Sequence, residues 1–185
     1  DKLADVRAEM KANGADYLLI TDLMESAWLF NLRADDILYT PVFFSFTLVS
    51  QDKVCLYVMD GALKKGPPER LSFVEVKDYN DIYKDVQTLD ASKTLWYDAN
   101  SCNYELYCNF PAGIKLHNEL TPVALMKIIK NDVEKASTKH AHIKDGVAVT
   151  KVIKWIKDNV ESGKLTELSV ADKLEEICRE QEDCF

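Results

Sequence analysis

The chain has 185 residues, of which 47% are hydrophobic, and carries a formal net charge of −8 at pH 7. This length suits one full domain and part of a second, and the hydrophobic fraction excludes a disordered chain. The negative charge disfavours nucleic acid as a partner, because phosphate binding requires a basic surface, and no apolar run is long enough to predict a membrane span.

Alternating helices and strands are predicted over the first 120 residues from hydrophobic periodicity and from residues that cap helices or form turns. In chain order we predict a helix at 2–13, a strand at 16–21, a short helix capped by Asp22, strands at 42–50 and 53–60 joined by a hairpin, a loop at 61–70, a strand at 71–77, a helix at 80–90, a strand at 93–98, a helix at 100–110 and a strand at 113–119. This order predicts an α/β fold with a mixed sheet and helices on its faces.

After Thr121 the pattern becomes helical. Pro122 suits the first turn of one helix, and Asn131 followed by Glu134 predicts a capping box for a second helix that reaches about residue 162. A third helix is predicted at 169–183, capped by Thr166 or Ser169. The second helix carries an apolar stripe made of Val133, Ala136, Ile143, Val147, Val152, Ile153, Ile156 and Val160. Because these helices have no sheet of their own, we expect the sequence to be a piece of a longer protein.

The cysteines are Cys55, Cys102, Cys108, Cys178 and Cys184, an odd number without C-x-x-C spacing. Their spacing argues against zinc-ribbon and thioredoxin-type sites. We therefore expect free thiols in a reducing compartment and infer a cytoplasmic protein.

The residues that could carry chemistry assemble no recognisable site by spacing alone. The chain has no glycine-rich phosphate loop, and His140 and His142 are two residues apart, so they face different sides of a predicted helix. Asp35 and Asp36 are adjacent and cannot act as a carboxylate pair in an extended segment. Such aspartates are typical of turns, where they cap or remain solvated.

Several segments nevertheless resemble a known family. The run Trp28–Arg33, followed by Asp36 and by Pro41–Phe44, closely resembles the middle domain of the three-domain, cytosolic-type Xaa-Pro aminopeptidases. These belong to the creatinase/prolidase group of "pita-bread" metallopeptidases. The resemblance continues at 121–131, 139–149 and 165–185, and is much weaker over 60–118.

The resemblance implies a domain organisation. Residues 1–120 correspond to a creatinase N-terminal-like α/β domain, the second domain of the family, with helices on both faces of a mixed sheet. Residues 121–185 correspond to the opening helices of the catalytic pita-bread domain, which would be truncated here. The family's first domain is expected before Asp1. The family's two-metal centre uses two aspartates, a histidine and two glutamates, all downstream of the position matching Phe185, so no catalytic residue or metal ligand is expected in this chain.

The function implied by the resemblance is removal of the N-terminal residue from peptides with proline in second position. The longer protein would use two manganese ions, whereas this chain is expected to bind no metal and to be inactive. The alternative is a pita-bread relative that binds peptides or histones without metal, and the sequence beyond Phe185 would discriminate between them. We expect no nucleic acid and no membrane as partners. Because the apolar stripe needs cover, we expect a homodimer built through residues 123–180.

The loop after Trp28 supplies the candidate site residues. The family pattern is N-L-R-G, in which Asn31 and Arg33 match while Ala34 replaces the glycine. If that glycine required positive φ, alanine would adopt it at a cost of about 1 kcal/mol. Asn31 and Arg33 are therefore expected to lie near the substrate or between domains. The alternative is that Arg33 ties its loop to Asp35 or Asp36.

Overall fold

The computed structural model describes residues 2–63 and 68–182. The chain forms two compact units, Asp1–Ile129 and Lys130–Phe185. Residues 64–67 of the predicted loop at 61–70 lie outside the described residues, as does the last residue of the predicted helix at 169–183.

The first unit contains the alternating helices and strands that the sequence predicts. In chain order these are α1 (Lys2–Ala12), β1 (Tyr17–Ile20), α2 (Leu23–Phe30), β2 (Ser45–Ser50), β3 (Val54–Val58), β4 (Glu75–Asp78), α3 (Ile82–Asp85), β5 (Thr94–Tyr97), α4 (Tyr104–Cys108), β6 (Lys115–Asn118) and α5 (Pro122–Ile128). Short 3-10 turns at Glu69–Leu71, Tyr79–Asp81 and Val86–Thr88 precede β4 and flank α3.

The strands form one mixed sheet in the order β4-β3-β2-β1-β5-β6. The central pairs β1–β2 and β2–β3 are antiparallel, and the outer pairs β3–β4, β1–β5 and β5–β6 are parallel. The predicted hairpin between β2 and β3 is confirmed, since the Ser50 amide donates to the Lys53 carbonyl at 2.8 Å across its turn.

Helices cover both faces of the sheet, because side chains of one strand alternate between the two faces. In β1, Leu18 and Ile20 are buried in the core that contains α1, α2 and Val123 of α5. Leu19, between them, is buried in the other core, which contains α3, α4 and Ile114. The predicted fold class, a mixed α/β sheet with helices on both faces, is confirmed.

The helix α5 belongs to the first unit. Its residue Val123 is fully buried in the core shared with α1 and α2. The compact units therefore divide after Ile129 rather than after Leu120, because the apolar side of α5 packs on the sheet domain. The assignment of residues 121–185 to the family's catalytic domain stays a prediction.

Several elements of the first unit are shorter than the sequence pattern indicates, among them the helix predicted at 100–110, which spans only Tyr104–Cys108, and two further elements are interrupted by 3-10 turns. The predicted strand at 71–77 begins only at Glu75, since Leu71 ends a 3-10 turn and both Leu71 and Val74 are buried in the core. The predicted helix at 80–90 has a single α-helical stretch, α3, between two 3-10 turns. Both regions contain apolar residues whose spacing fits a tight turn as well as a regular element.

Helix caps account for most of the predicted helix starts. The Asp22 carboxylate accepts from the amides of Met24 and Glu25, so the predicted N-cap of α2 is confirmed. In the second unit, Asn131 and Glu134 form the predicted reciprocal capping box.

The second unit contains two long helices, α6 (Asp132–Asn159) and α7 (Glu167–Arg179). Their small shared core consists of Ala148 and Val152 on α6 and Ile177 on α7. Much of the predicted apolar stripe remains at the surface of this unit: Val133 is 75% exposed and Ile143 is 66% exposed. α7 thus covers only part of the stripe, around Val152 and Ile156.

Within residues 2–63 and 68–182, none of the helices combines the length and hydropathy that a bilayer span requires.

Cys55, Cys102, Cys108 and Cys178 are free thiols, as predicted, and Cys184 lies outside the described residues.

Candidate functional site

The candidate loop begins where α2 ends. Asn31 adopts a left-handed conformation, with φ 51° and ψ 45°. Its amide donates to Trp28, and the next amide, of Leu32, donates to Ala27 at 3.0 Å, which together make a Schellman ending. Asparagine is one of the few residues that tolerate this conformation. Asn31 therefore sets the direction in which the chain leaves the helix.

The Arg33 guanidinium is anchored to the end of the same helix. Its Nη1 atom donates to the carbonyls of Ala27 and Leu32, each at 2.8 Å. A cation is favoured here because helix carbonyls carry partial negative charge at the C-terminus. The alternative from the sequence, a tie to Asp35 or Asp36, is not observed in the described part of the chain. Arg33 is bound to backbone oxygens instead.

A second arginine, which the sequence analysis did not single out, reaches the same helix end. Arg70 donates from Nη1 to the Phe30 carbonyl at 2.8 Å and from Nη2 to the Asn31 carbonyl at 3.0 Å. Arg70 lies in a segment where the family resemblance is weak, and it is about 40 residues from its acceptors. No local sequence pattern could have paired them.

The residue that replaces the family glycine is not strained. Among the described residues, those other than glycine with positive φ are Asn31 and Tyr39, so Ala34 does not need the left-handed conformation. The cost of about 1 kcal/mol that positive φ would impose on alanine does not arise.

Beyond Ala34 the chain forms an exposed loop whose base is held by hydrogen bonds of Asp36. The Asp36 carboxylate accepts from the Phe44 amide at 2.8 Å, and the Asp36 amide donates to the Val42 carbonyl at 3.3 Å. At the loop tip, Leu38 is 78% exposed and Tyr39 is 91% exposed. Asp36 thus holds the base of the loop as turn aspartates commonly do, while Asp35 is exposed.

This loop forms one wall of a cleft of about 720 Å³. The opposite wall is the segment 58–63, which begins at the last residue of β3, together with Pro68. The cleft thereby brings Arg33, Asp35 and Asp36 close to Asp60, a residue 24 or more positions away in sequence. Its size lies within the range of small-ligand sites, about 300–1,000 Å³.

A buried carboxyl group connects α2 to the N-cap residue of α5. The Thr121 hydroxyl donates to Glu25 Oε2 at 2.5 Å, and both residues are buried. Burial raises the pKa of the Glu25 carboxyl above its ordinary value of 4.5. Glu25 stands three residues after Asp22, a spacing typical of a capping box, but its Oε2 accepts from Thr121 instead.

The residues that the structure describes do not fit a metal centre. Across residues 2–63 and 68–182, no three histidine, cysteine, aspartate or glutamate side chains are spaced to hold an ion. His140 and His142 are exposed on α6, and His117 packs edge-on against Trp96 with ring centres 4.5 Å apart.

The sequence matches a known protein family. The family model of the creatinase/prolidase N-terminal domain matches residues 1–134. A probable Xaa-Pro aminopeptidase P of Talaromyces stipitatus is 36% identical over 196 residues, which cover 100% of this chain and 30% of that protein. Xaa-Pro aminopeptidase 1 of Dictyostelium discoideum is 34% identical over 189 residues, covering 99% of this chain and 30% of that protein. The chain thus spans about three-tenths of the length of these relatives.

Solved structures share the fold. An X-prolyl aminopeptidase from Caenorhabditis elegans, described as a cytosolic enzyme with a di-nuclear active site, matches with a TM-score of 0.82 and 23% identity, covering 100% of this chain and 31% of that chain. An Xaa-Pro dipeptidase from Bacillus anthracis matches with a TM-score of 0.69 and 17% identity, covering 97% of this chain and 48% of that chain. At these identities the structures establish the fold alone.

Proposed function

Because the chain belongs to the creatinase/prolidase N-terminal domain family, we propose that it is part of an Xaa-Pro aminopeptidase. The reaction is hydrolysis of the N-terminal residue from peptides with proline in second position. The observation that carries this proposal is the similarity of the whole chain, at 34–36% identity, to relatives that bear this name.

We assign the chemistry of hydrolysis to a part of the longer protein that lies outside this chain. Since the described residues offer no set of metal ligands, we place the two divalent ions, proposed to be manganese, in the part of the relatives' length that this chain does not span. The 185-residue chain would then be inactive alone. Free thiols at the four described cysteines, together with the cytosolic C. elegans neighbour, support a cytoplasmic location.

The role proposed for the Arg33 loop is to present polar groups beside the substrate or a neighbouring domain. Asn31 fixes the exit of the chain from α2, and the two carbonyl bonds of Nη1 orient the Arg33 guanidinium. Support comes from the cleft, on whose wall Arg33 lies. A guanidinium held in this way loses little further side-chain freedom on binding.

We also propose that the isolated chain forms a homodimer through residues 123–180. The supporting observation is the apolar surface on α6, where Val133 and Ile143 are mostly exposed. A second copy could cover this surface, because a twofold contact requires only one self-complementary patch.

Hydrolysis by the complete protein tests the enzymatic proposal. The full open reading frame should release arginine from Arg-Pro-Pro when manganese is supplied, and should leave Arg-Ala-Pro nearly untouched. A complete protein that binds peptides or histones but cleaves neither substrate would support the non-catalytic alternative.

A further inference from the structure

A second pocket, of about 320 Å³, lies where β5 ends and α4 begins. The described residues that line it are Tyr97, Ala99, Cys102, Tyr104 and Tyr107. All of them belong to the continuous segment 97–107, and none of them lines the cleft beside Arg33. We call this site the tyrosine pocket. Its volume is at the lower end of the range of small-ligand sites, about 300–1,000 Å³.

The three tyrosine rings of the pocket form a row. The ring centres of Tyr104 and Tyr107 are 6.4 Å apart with 27° between the ring planes, and those of Tyr97 and Tyr107 are 6.3 Å apart with 32° between the planes. Tyr97 is buried, whereas Tyr104 is 80% exposed and Tyr107 is 44% exposed. The row therefore offers aromatic surface to a ligand, and each ring carries a hydroxyl that can donate a hydrogen bond.

The described lining of the tyrosine pocket carries no formal charge. Burial raises the pKa of the Cys102 thiol to about 11 and also raises the pKa of the Tyr97 phenol, so both groups are neutral at pH 7. The carboxylates of the same segment are those of Asp98, which accepts from Asn100, and of Glu105, which is exposed on α4. An uncharged aromatic lining favours an apolar ligand, because an ion would leave water without an opposite charge in the lining.

The tyrosine pocket and the cleft beside Arg33 lie on opposite faces of the sheet. Leu63, the last described residue before 64–67, packs in the core that contains α1 and α2. Tyr97 and Cys102 belong to the core that contains α3 and α4. In the sheet, β2 and β1 also separate β3, the strand before Leu63, from β5. The character of the tyrosine pocket is therefore argued from residues that the structure describes.

Hydrogen bonds hold the segment that forms the tyrosine pocket. The Cys102 amide donates to the Asp98 carbonyl at 3.0 Å, and the Asn103 side chain accepts from the Leu106 amide at 2.8 Å. Leu106 is fully buried and anchors α4 between its two exposed tyrosines. A site that is formed in advance loses little conformational freedom when a ligand binds.

A proline-rich peptide segment suits such a site. In the polyproline II conformation it makes no internal hydrogen bonds, so its carbonyl groups are free to accept. Its rings are apolar and pack against aromatic side chains, as in other grooves that recognise proline-rich segments. Tyrosine hydroxyls can donate to the free carbonyls.

We propose that the tyrosine pocket docks a proline-rich peptide segment in the polyproline II conformation, with a proline ring against Tyr104 and Tyr107. The choice of proline rests on the proposed function, because the substrates proposed there are peptides that contain proline. The docking itself requires no hydrolysis.

A titration of the 185-residue chain tests the proposal, with hexaproline that is acetylated and amidated at its ends as the probe. Amide resonances of residues 99–107 should shift saturably, with a dissociation constant of about 1 mM or tighter. A blocked peptide of the same length made of serine and alanine should bind about threefold to tenfold more weakly. Because this chain is tested alone, failure here is separate from failure of the complete protein to hydrolyse peptides.

Variants identify the group responsible. Tyr104→Ala removes an exposed ring and should weaken hexaproline binding about threefold to tenfold. Tyr104→Phe keeps the ring and should weaken the binding by at most about threefold. The matched control Phe73→Ala removes an aromatic ring that is 57% exposed and lies outside the tyrosine pocket, and it should bind as the unaltered chain does. Spectra of the free variants establish that each is folded.

Four results would overturn the proposal. The first three are no saturable shift at residues 99–107 with about 10 mM hexaproline, equal affinity for the serine and alanine peptide, and unchanged affinity in Tyr104→Ala. The fourth is a shift of the same amides by tetramethylammonium at lower concentration than by hexaproline, which would show that the rings bind an organic cation instead.

Discussion

At the scale of single residues, Asn31 determines how the candidate loop leaves α2. Its φ of 51° is a conformation that glycine adopts freely and alanine does not. We predict that Asn31→Ala lowers the free energy of unfolding by about 1 kcal/mol, whereas Asn31→Gly changes it by a few tenths. Urea titration of the three proteins measures both values. Equal losses in the two variants would mean that the asparagine side chain, rather than its backbone, is what matters.

The buried carboxyl group of Glu25 should make the stability of the fold depend on pH. Burial raises the pKa of its carboxyl, with Asp22 and Asp98 adding to the rise, while the Thr121 hydrogen bond and Lys127 lower it. A raised pKa means that the folded state holds the proton more tightly than the unfolded state. The resulting stabilisation is present below pH 4.5 and is lost as the pH rises through the folded-state pKa.

Glu25→Gln removes this titration and keeps an oxygen that can accept from Thr121. The free energy of unfolding of the variant, relative to the unaltered chain, should therefore rise between pH 4.5 and neutrality. Urea titrations across this range measure it, with the exposed substitution Glu9→Gln as the control for overall charge. A relative stability that falls with pH would show that the carboxylate is stabilised in the fold.

At the scale of elements, the packing of α7 on α6 depends on a very small core. Ile177 is 5% exposed and contacts the cluster around Ala148 and Val152. We predict that Ile177→Ala destabilises the second unit by about 2 kcal/mol or more and releases α7. Hydrogen exchange of the α7 amides measures the release. Leu168→Ala, at a 77% exposed position of the same helix, should leave that exchange unchanged.

The elements that could be predicted from sequence are those with local signals. The apolar run at Tyr17–Ile20 and the caps at Asp22 and Asn131 lie within a few residues of the structure that they specify. The short helix α3 was overestimated, because its apolar spacing fits both a 3-10 turn and an α-helix.

The candidate site could be predicted only in part. The family resemblance drew attention to Asn31 and Arg33, but local spacing could not reveal how they are held. Arg70 is 40 residues from Phe30, and Thr121 is 96 residues from Glu25. Such contacts depend on the strand order of the sheet, which a single sequence does not specify.

At the scale of the whole molecule, exposed apolar residues on α6 predict self-association of the isolated chain. Burying each large aliphatic side chain is worth about 1.5–3 kcal/mol, so covering Val133, Ile143 and Ile153 would favour a dimer. Sedimentation equilibrium of the chain, and of a version ending at Ile129, measures this directly. A chain that remains monomeric at about 100 μM while α6 and α7 stay helical would show that no second copy is required.

The most direct test of the central claim, that this chain is the sheet-bearing part of an Xaa-Pro aminopeptidase, compares two proteins on one substrate. The 185-residue chain and the complete protein are each incubated with Arg-Pro-Pro and manganese, and release of arginine is followed. We predict release by the complete protein and none by the chain alone, because the described residues provide no metal-binding set. Turnover that persists in the repurified chain, or its absence from a folded, manganese-loaded complete protein, would contradict the claim.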